Sequence, residues 1–373
     1  MNRRGGPRRR ALAFGSVVAA SAMVWSAACT VQVQGEPDLE AGVMKPPSDQ
    51  VQTVDLLSRF EIEPDVSEEY WRQRDFSGAQ GMGLSGSGDA EEAPNDQATG
   101  LFALPTDGGP ISAEAGVGLG EMSSAPEMPT TGLKSGTTGR LYTSWDSTGE
   151  MFYVCSASVV NSATHDVLAT AGHCVWDTEG DGGVAPYLVF VPGDKNDAES
   201  QPFGRWTPVE IFLRDEFRDN AKSTDSRVKG GGWTYDYAFV RLAPNASGQK
   251  IQDVVGAQGI AFGIPAENLV AIGYPSAPPF DGRSERYCSS TEWERYVRGG
   301  YTIDCNMTAG ASGGGWFTRW DPVRGAGYLV GVSSVADAYD STLSSNAFGR
   351  SAYELYEYAG AVSDDLFQGS GPE

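Results

Sequence analysis

The chain has only two histidines. Any mechanism that needs a base near neutral pH turns to them first, because imidazole is the side chain that changes charge in that range. His165 sits in Asn161-Ser162-Ala163-Thr164-His165-Asp166, a polar run with the composition of a surface turn. His173 closes Leu168-Ala169-Thr170-Ala171-Gly172-His173, directly after an apolar strand-like run, and has the better context. For a nucleophile, Gly310-Ala311-Ser312-Gly313-Gly314-Gly315 offers a small-flanked serine. Its glycines let the chain turn so tightly that the amides of Gly310 and Ser312 can converge on one oxygen. Such donors stabilise the oxyanion of an acyl-transfer intermediate by about 3–4 kcal/mol each. Taken alone, the same run reads equally well as a flexible loop. A carboxylate to orient the imidazole is offered by Asp236, immediately before the apolar run Tyr237-Ala238-Phe239-Val240-Arg241-Leu242, although a lone aspartate there is usually a turn residue.

The elements that must position these groups are short. From about Gly139, runs of β-branched and aromatic residues recur between Gly and Pro turns: Phe152–Val154, Val159–Val160, Val167–Ala169, Leu188–Val191, Val209–Leu213 and Tyr237–Leu242, then Leu269–Ile272, Tyr301–Ile303, Gly315–Phe317 and Tyr328–Val332. That spacing predicts an all-β sandwich or barrel. Within this part of the chain a helix is predicted only near the end, over 350–361. The 48 glycines and 21 prolines fit many turns, and the 40% hydrophobic content permits a core.

Thr170-Ala171-Gly172-His173-Cys174 resembles the histidine signature of the chymotrypsin-like serine peptidases, Asp236–Leu242 their aspartate strand, and Gly310–Gly314 their serine loop. The order His, Asp, Ser is theirs too, and differs from the subtilisin and α/β-hydrolase orders. Within that family the chain is most similar to the bacterial trypsin-like, glutamyl-endopeptidase-like branch. The resemblance covers about residues 135–362. It implies two six-stranded antiparallel β-barrels with a short C-terminal helix, and a triad of His173, Asp236 and Ser312 in the cleft between them. It further implies disulfides Cys155–Cys174 and Cys288–Cys305, an oxyanion hole from Gly310 and Ser312, and hydrolysis of protein or peptide substrates through an acyl-enzyme.

Specificity departs from the familiar patterns. Asn306 falls about where tryptic enzymes carry an aspartate, so Lys/Arg preference is unsupported. Val332-Ser333-Ser334-Val335 resembles the strand that pairs with substrate backbone, and holds no histidine of the kind glutamyl endopeptidases use. Asn306, Met307 and Ser334 are the candidate substrate contacts. Position 311 is Ala, where digestive relatives pair an Asp with a freed N-terminus, so that route to activation is closed.

The N-terminus reads as an export signal over 1–28: Arg3, Arg4, Arg8, Arg9 and Arg10, then an apolar small-residue run ending Ser26-Ala27-Ala28-Cys29. Cleavage after Ala28 and lipid attachment at Cys29, which would tether the chain to a membrane, both fit. Cys29 is also the odd one of five cysteines, and the other four fall into two sequence-close pairs that suit an exported protein. Residues 29–135 are acidic and rich in Gly, Ser and Pro, with acids severalfold above bases. They read as a largely disordered propeptide or tether, with a short helix or two over 51–76. The peptidase domain is then 136–362 and the tail 363–373. A net charge of −22 excludes a generally basic nucleic-acid binder. No cofactor and no metal is expected, the protein is expected to be a monomer, and its place is extracellular or in the cell envelope. Two other readings stay open: a binding protein on a retired protease scaffold, and an esterase.

Overall fold

A computed structural model describes residues 57–360 apart from 77, 87–99, 113–118, 130, 196–200, 297 and 338. The export segment, Cys29 and the 363–373 tail lie outside the described residues.

Two curled, mainly antiparallel sheets make most of the fold, beside a small two-stranded sheet of Lys222–Thr224 and Arg227–Lys229. The first takes six strands from residue 138 onward: Thr138–Ser144, Tyr153–Val159, Val167–Thr170, Tyr187–Pro192, Pro208–Arg214 and Ala238–Leu242. Pro208 is tolerated because it opens its strand, where a missing N–H interrupts no ladder. Phe190 and Trp206 exchange two backbone hydrogen bonds of 2.8 Å, which brings Tyr187–Pro192 round towards the start of Pro208–Arg214 and curls the sheet. Every residue of Val167–Thr170 is buried, so this strand reads as a continuous apolar run without alternation.

The second sheet runs Arg286–Ser290, Leu269–Gly273, Gly315–Asp321, Ala326–Ala336, Thr342–Ser345, Tyr301–Asp304, Glu294–Arg295, with Gly259–Phe262 parallel to Ala326–Ala336. The C-terminal helix Arg350–Gly360 buries Ala352, Leu355 and Ala359. Its Tyr356 ring packs on Phe239 of the first sheet at 5.5 Å and on Phe262 of the second at 5.2 Å, which pins the two sheets together. The strands expected from β-branched runs are present, except that the Phe152–Val154 and Val159–Val160 runs belong to one strand, Tyr153–Val159. Thr138–Ser144, Gly259–Phe262, Arg286–Ser290 and Thr342–Ser345 were not expected; their sequences carry few β-branched residues, and cross-strand pairing decides their state.

Where residues 29–135 are described they add elements to the domain, among them a helix within the 51–76 stretch. Leu57–Glu61 adds an antiparallel strand to Pro208–Arg214, pairing Leu57 with Arg214 and Glu61 with Glu210. Helix Pro64–Arg72 starts with Pro at its first turn and buries Trp71, 1% exposed, against Phe76, Tyr142 and Phe152. Ser67 hydrogen-bonds both the N–H and the carbonyl of Leu188. Leu101–Ala103 pairs with Gly259–Phe262, and Met122 and Glu127 bridge to Ser289 and Arg286. A few widely spaced apolar residues are enough here because the domain supplies the rest of the core. A composition average cannot register that.

Candidate active site

Strands Val167–Thr170 and Ala238–Leu242 are antiparallel neighbours with Thr170 opposite Ala238. The turn that leaves the first and the turn that enters the second therefore lie at the same edge. His173 sits in the first, the 3-10 turn Gly172–Cys174; Asp236 follows the second, Gly232–Tyr235. Asp236 is fully buried. Its Oδ1 accepts the His173 backbone N–H and its Oδ2 the His173 Nδ1–H, both at 2.8 Å. Its Oδ2 also accepts the Ser334 hydroxyl at 2.5 Å. With Nδ1 turned to the carboxylate, Nε2 is the basic atom; it is buried and makes no hydrogen bond among the described residues.

The aspartate turn is clamped from outside. Asn346 Nδ2 donates to the carbonyls of Trp233 and Thr234 at 2.8 and 2.6 Å. The Trp233 indole donates to Lys222 and Lys229 carbonyls, and its ring lies 6.2 Å from the His173 ring. The Cys155–Cys174 disulfide, Cα–Cα 6.1 Å, ties the histidine turn to Tyr153–Val159. Cys155, His173 and Cys174 place ligand-type atoms within 4.8 Å of one another, but the two sulfurs are bonded to each other.

Ser312 is held between the sheets. Ser156 of the first sheet donates its N–H to the Ser312 carbonyl at 2.7 Å and its hydroxyl to the Gly310 carbonyl at 2.9 Å. From the second sheet, Ser333 accepts the Gly313 N–H and donates to the Gly314 carbonyl, both at 2.8 Å. Gly310 has φ 101°, and a Cβ there would lie 2.5 Å from the Tyr274 carbonyl. Gly313 has φ 76°, and a Cβ would lie 2.2 Å from Thr170 Oγ1. Only glycine allows this loop to sit so close to the strand that leads into His173. Ser312 is itself nearly buried, and its hydroxyl is not hydrogen-bonded to Nε2 in this state. Such bonds often tighten only when substrate is bound. Behind the loop, burial pushes the Tyr274 phenol well above its ordinary value, Glu285 adding to the effect and Arg140 opposing it, so it is a neutral support.

The remaining expected residues are dispersed. Met307 lines a pocket beside Ser312 with Thr308, Val335 and Leu343. Asn306 donates its backbone N–H to the Ser123 carbonyl at 3.0 Å, and its Oδ1 is buried without a partner among the described residues. Ser334, expected as a substrate contact, directs its hydroxyl to Asp236. The Gly310 N–H, expected as an oxyanion donor, is donated to the Met82 carbonyl at 2.7 Å. Cys288–Cys305, Cα–Cα 5.7 Å, ends just before Asn306. His165 is exposed in a turn, its Nδ1 2.7 Å from Asp253. Ser156 and Asn346 escape sequence reading because a serine in a strand and an asparagine in a loop carry no local signature.

A trypsin-like peptidase domain model matches residues 155–325, a span that includes both His173 and Ser312. No curated protein sequence matches the chain. Among solved structures, the protease Anisep from Arthrobacter nicotinovorans is 29% identical with a TM-score of 0.53, the match covering 64% of this chain and 99% of Anisep. The thermostable serine protease AL20 from an extremophilic microorganism is 30% identical with a TM-score of 0.50, over 62% of this chain and 100% of AL20. Identity at that level over the whole length of a protease, on the same curled sheets, shows that this serine endopeptidase belongs to the trypsin-like peptidase family.

Proposed function

We propose that the chain is an exported endopeptidase that cuts protein or peptide substrates with Ser312 as nucleophile, His173 as general base and Asp236 as the group that orients it. Ser312 Oγ attacks the scissile carbonyl as His173 Nε2 takes its proton. The carbonyl oxygen becomes an oxyanion received by the amides of Gly310 and Ser312. The imidazolium is stabilised by Asp236, then protonates the leaving amine as the C–N bond breaks. Water, deprotonated by the same Nε2, hydrolyses the acyl-enzyme and restores Ser312.

The observation that carries this reading is the buried His173–Asp236 pair, with Nδ1 engaged at 2.8 Å and Nε2 unengaged among the described residues, next to a glycine loop that holds Ser312. Two disulfides support an oxidising location outside the cytosol, and Cys29 is the proposed point of lipid attachment if the chain stays tethered. The pocket of Met307, Thr308, Val335 and Leu343 is proposed to receive the side chain before the cut bond. The test is Ser312→Ala: whatever hydrolysis of peptide amides the parent chain shows should vanish, with folding unchanged by near-UV circular dichroism. Hydrolysis that persists in the folded variant overturns the assignment.

A further inference from the structure

Residues 80–86 run across the catalytic groove. Gln80–Gly81 pairs in parallel with Tyr153–Val159, and Met82 N–H donates to the Val154 carbonyl at 2.9 Å. The Met82 carbonyl then accepts the Gly310 N–H at 2.7 Å. Two residues on, the Leu84 carbonyl accepts the Ala336 N–H at 3.0 Å and Gly86 N–H donates to the Ala336 carbonyl at 3.3 Å. The segment thus lies parallel to the end of Ala326–Ala336, the strand that carries Ser333 and Ser334. On its other side Ser85 N–H donates to the Ser226 carbonyl at 2.8 Å. Gly83, Leu84 and Ser85 line the same pocket as Ser312 and Met307. Beneath this cover the His173 side chain is 1% exposed.

We infer that residues 80–86 form an intramolecular inhibitor, a strap that holds the enzyme latent until it is displaced or cut. The inference rests on the proposed roles of Ser312 and Gly310. A substrate carbonyl cannot use the Gly310 amide while Met82 holds it, nor can substrate backbone pair with Ala336 while Leu84 and Gly86 do. The strap is anchored on its N-terminal side by the packed helix Pro64–Arg72 and on its C-terminal side by Leu101–Ala103. Even a loosely tethered segment competes at an effective concentration on the order of millimolar, so dilute peptide is excluded. Since Ala311 cannot pair with a new N-terminus, this cover is the device the fold offers for control.

The strap passes so close to the nucleophile loop that side chains would lift it. A Cβ at Gly81 would lie 2.5 Å from the Ala309 carbonyl oxygen, and one at Gly83 would lie 2.7 Å from Ala309 Cα, both backbone atoms with little room to yield. The full chain carrying Gly81→Val and Gly83→Val should react with a fluorophosphonate and cleave peptide amides at least about tenfold faster than wild type, a gain that the tethered-competitor estimate allows. A synthetic peptide of residues 80–86 should slow it again. Should the double variant fail to fold, wild-type chain nicked within 80–86 by an added protease replaces it, with the same gain expected. If wild type already reacts as fast as the opened form and Ser312→Ala abolishes both, the strap is not inhibitory and the nucleophile stands. A new N-terminus at Gly83 in wild type, absent in Ser312→Ala, would make the strap a self-cleaved substrate and overturn the inference. No reaction in folded, opened chain would instead remove the nucleophile assignment on which it rests.

Discussion

Replacing Ser334 with alanine separates two roles that one side chain cannot fill at once. Its hydroxyl is 2.5 Å from Asp236 Oδ2, in a site where Ser334 is 2% exposed and Asp236 fully buried. A hydrogen bond to a buried charge contributes about 1.5–3 kcal/mol. Loss of that bond should lower Tm by roughly 3–10 °C in a domain of this size. Most of the bond is present both before and during reaction, so only the part that grows as His173 becomes charged reaches the rate. If that part is about 1 kcal/mol, kcat falls roughly fivefold. KM for a peptide amide should not change, because the hydroxyl acts on Asp236 and not on substrate. Steady-state kinetics and thermal unfolding, both in the Gly81→Val, Gly83→Val background, give the answer. A raised KM with unchanged kcat and Tm would return Ser334 to the substrate contacts and refute the reasoning.

Asn346→Ala should destabilise the fold by about 1–3 kcal/mol, since the Thr234 carbonyl loses its donor and the Trp233 carbonyl keeps only the Asp236 N–H at 3.3 Å. Urea unfolding measures this, and kcat should fall with it as the Asp236 turn loosens. Asp236→Asn should keep the backbone geometry yet lower kcat by as much as about 10⁴, by favouring the wrong imidazole tautomer. A loss below tenfold in kinetic assays would contradict the orienting role. Acid should loosen the 119–128 segment. The Thr291 hydroxyl and N–H, then the Ser290 hydroxyl, hold the Glu121 carboxyl below its ordinary range. Its contribution is complete above the unfolded value and is lost as pH falls through the lower folded one. Amide exchange at Met122 and Met128, bonded to the Ser289 and Glu285 carbonyls, should accelerate below about pH 4 relative to the trend of other amides. Glu121→Gln should remove that step.

What sequence alone reveals follows the range of the forces. His173 and Ser312 stand out because each needs a local setting, a tight turn or a glycine run, that its immediate neighbours encode, whereas Asp236 is picked out by its order between them and by resemblance. The two disulfide pairs follow from counting cysteines and from resemblance. Strands such as Val167–Thr170 announce themselves through side chains, whereas Thr138–Ser144 is a strand because Tyr153–Val159 and Tyr187–Pro192 flank it. The contacts most consequential for chemistry are equally non-local. Ser334 reaches Asp236 across 98 residues of chain. Met82 reaches Gly310 from a segment whose composition predicts disorder. The run Val332–Val335 marks Ser334 as part of a substrate-pairing strand but not as a partner of Asp236, and nothing around Met82 marks it at all.

The most direct check is where a covalent probe lands. Strap-displaced chain treated with a fluorophosphonate, digested and sequenced by mass spectrometry should carry one adduct, on Ser312, and His173→Gln should slow its formation by orders of magnitude. An adduct on another residue, or one on Ser312 that forms at the same rate without His173, would contradict the account.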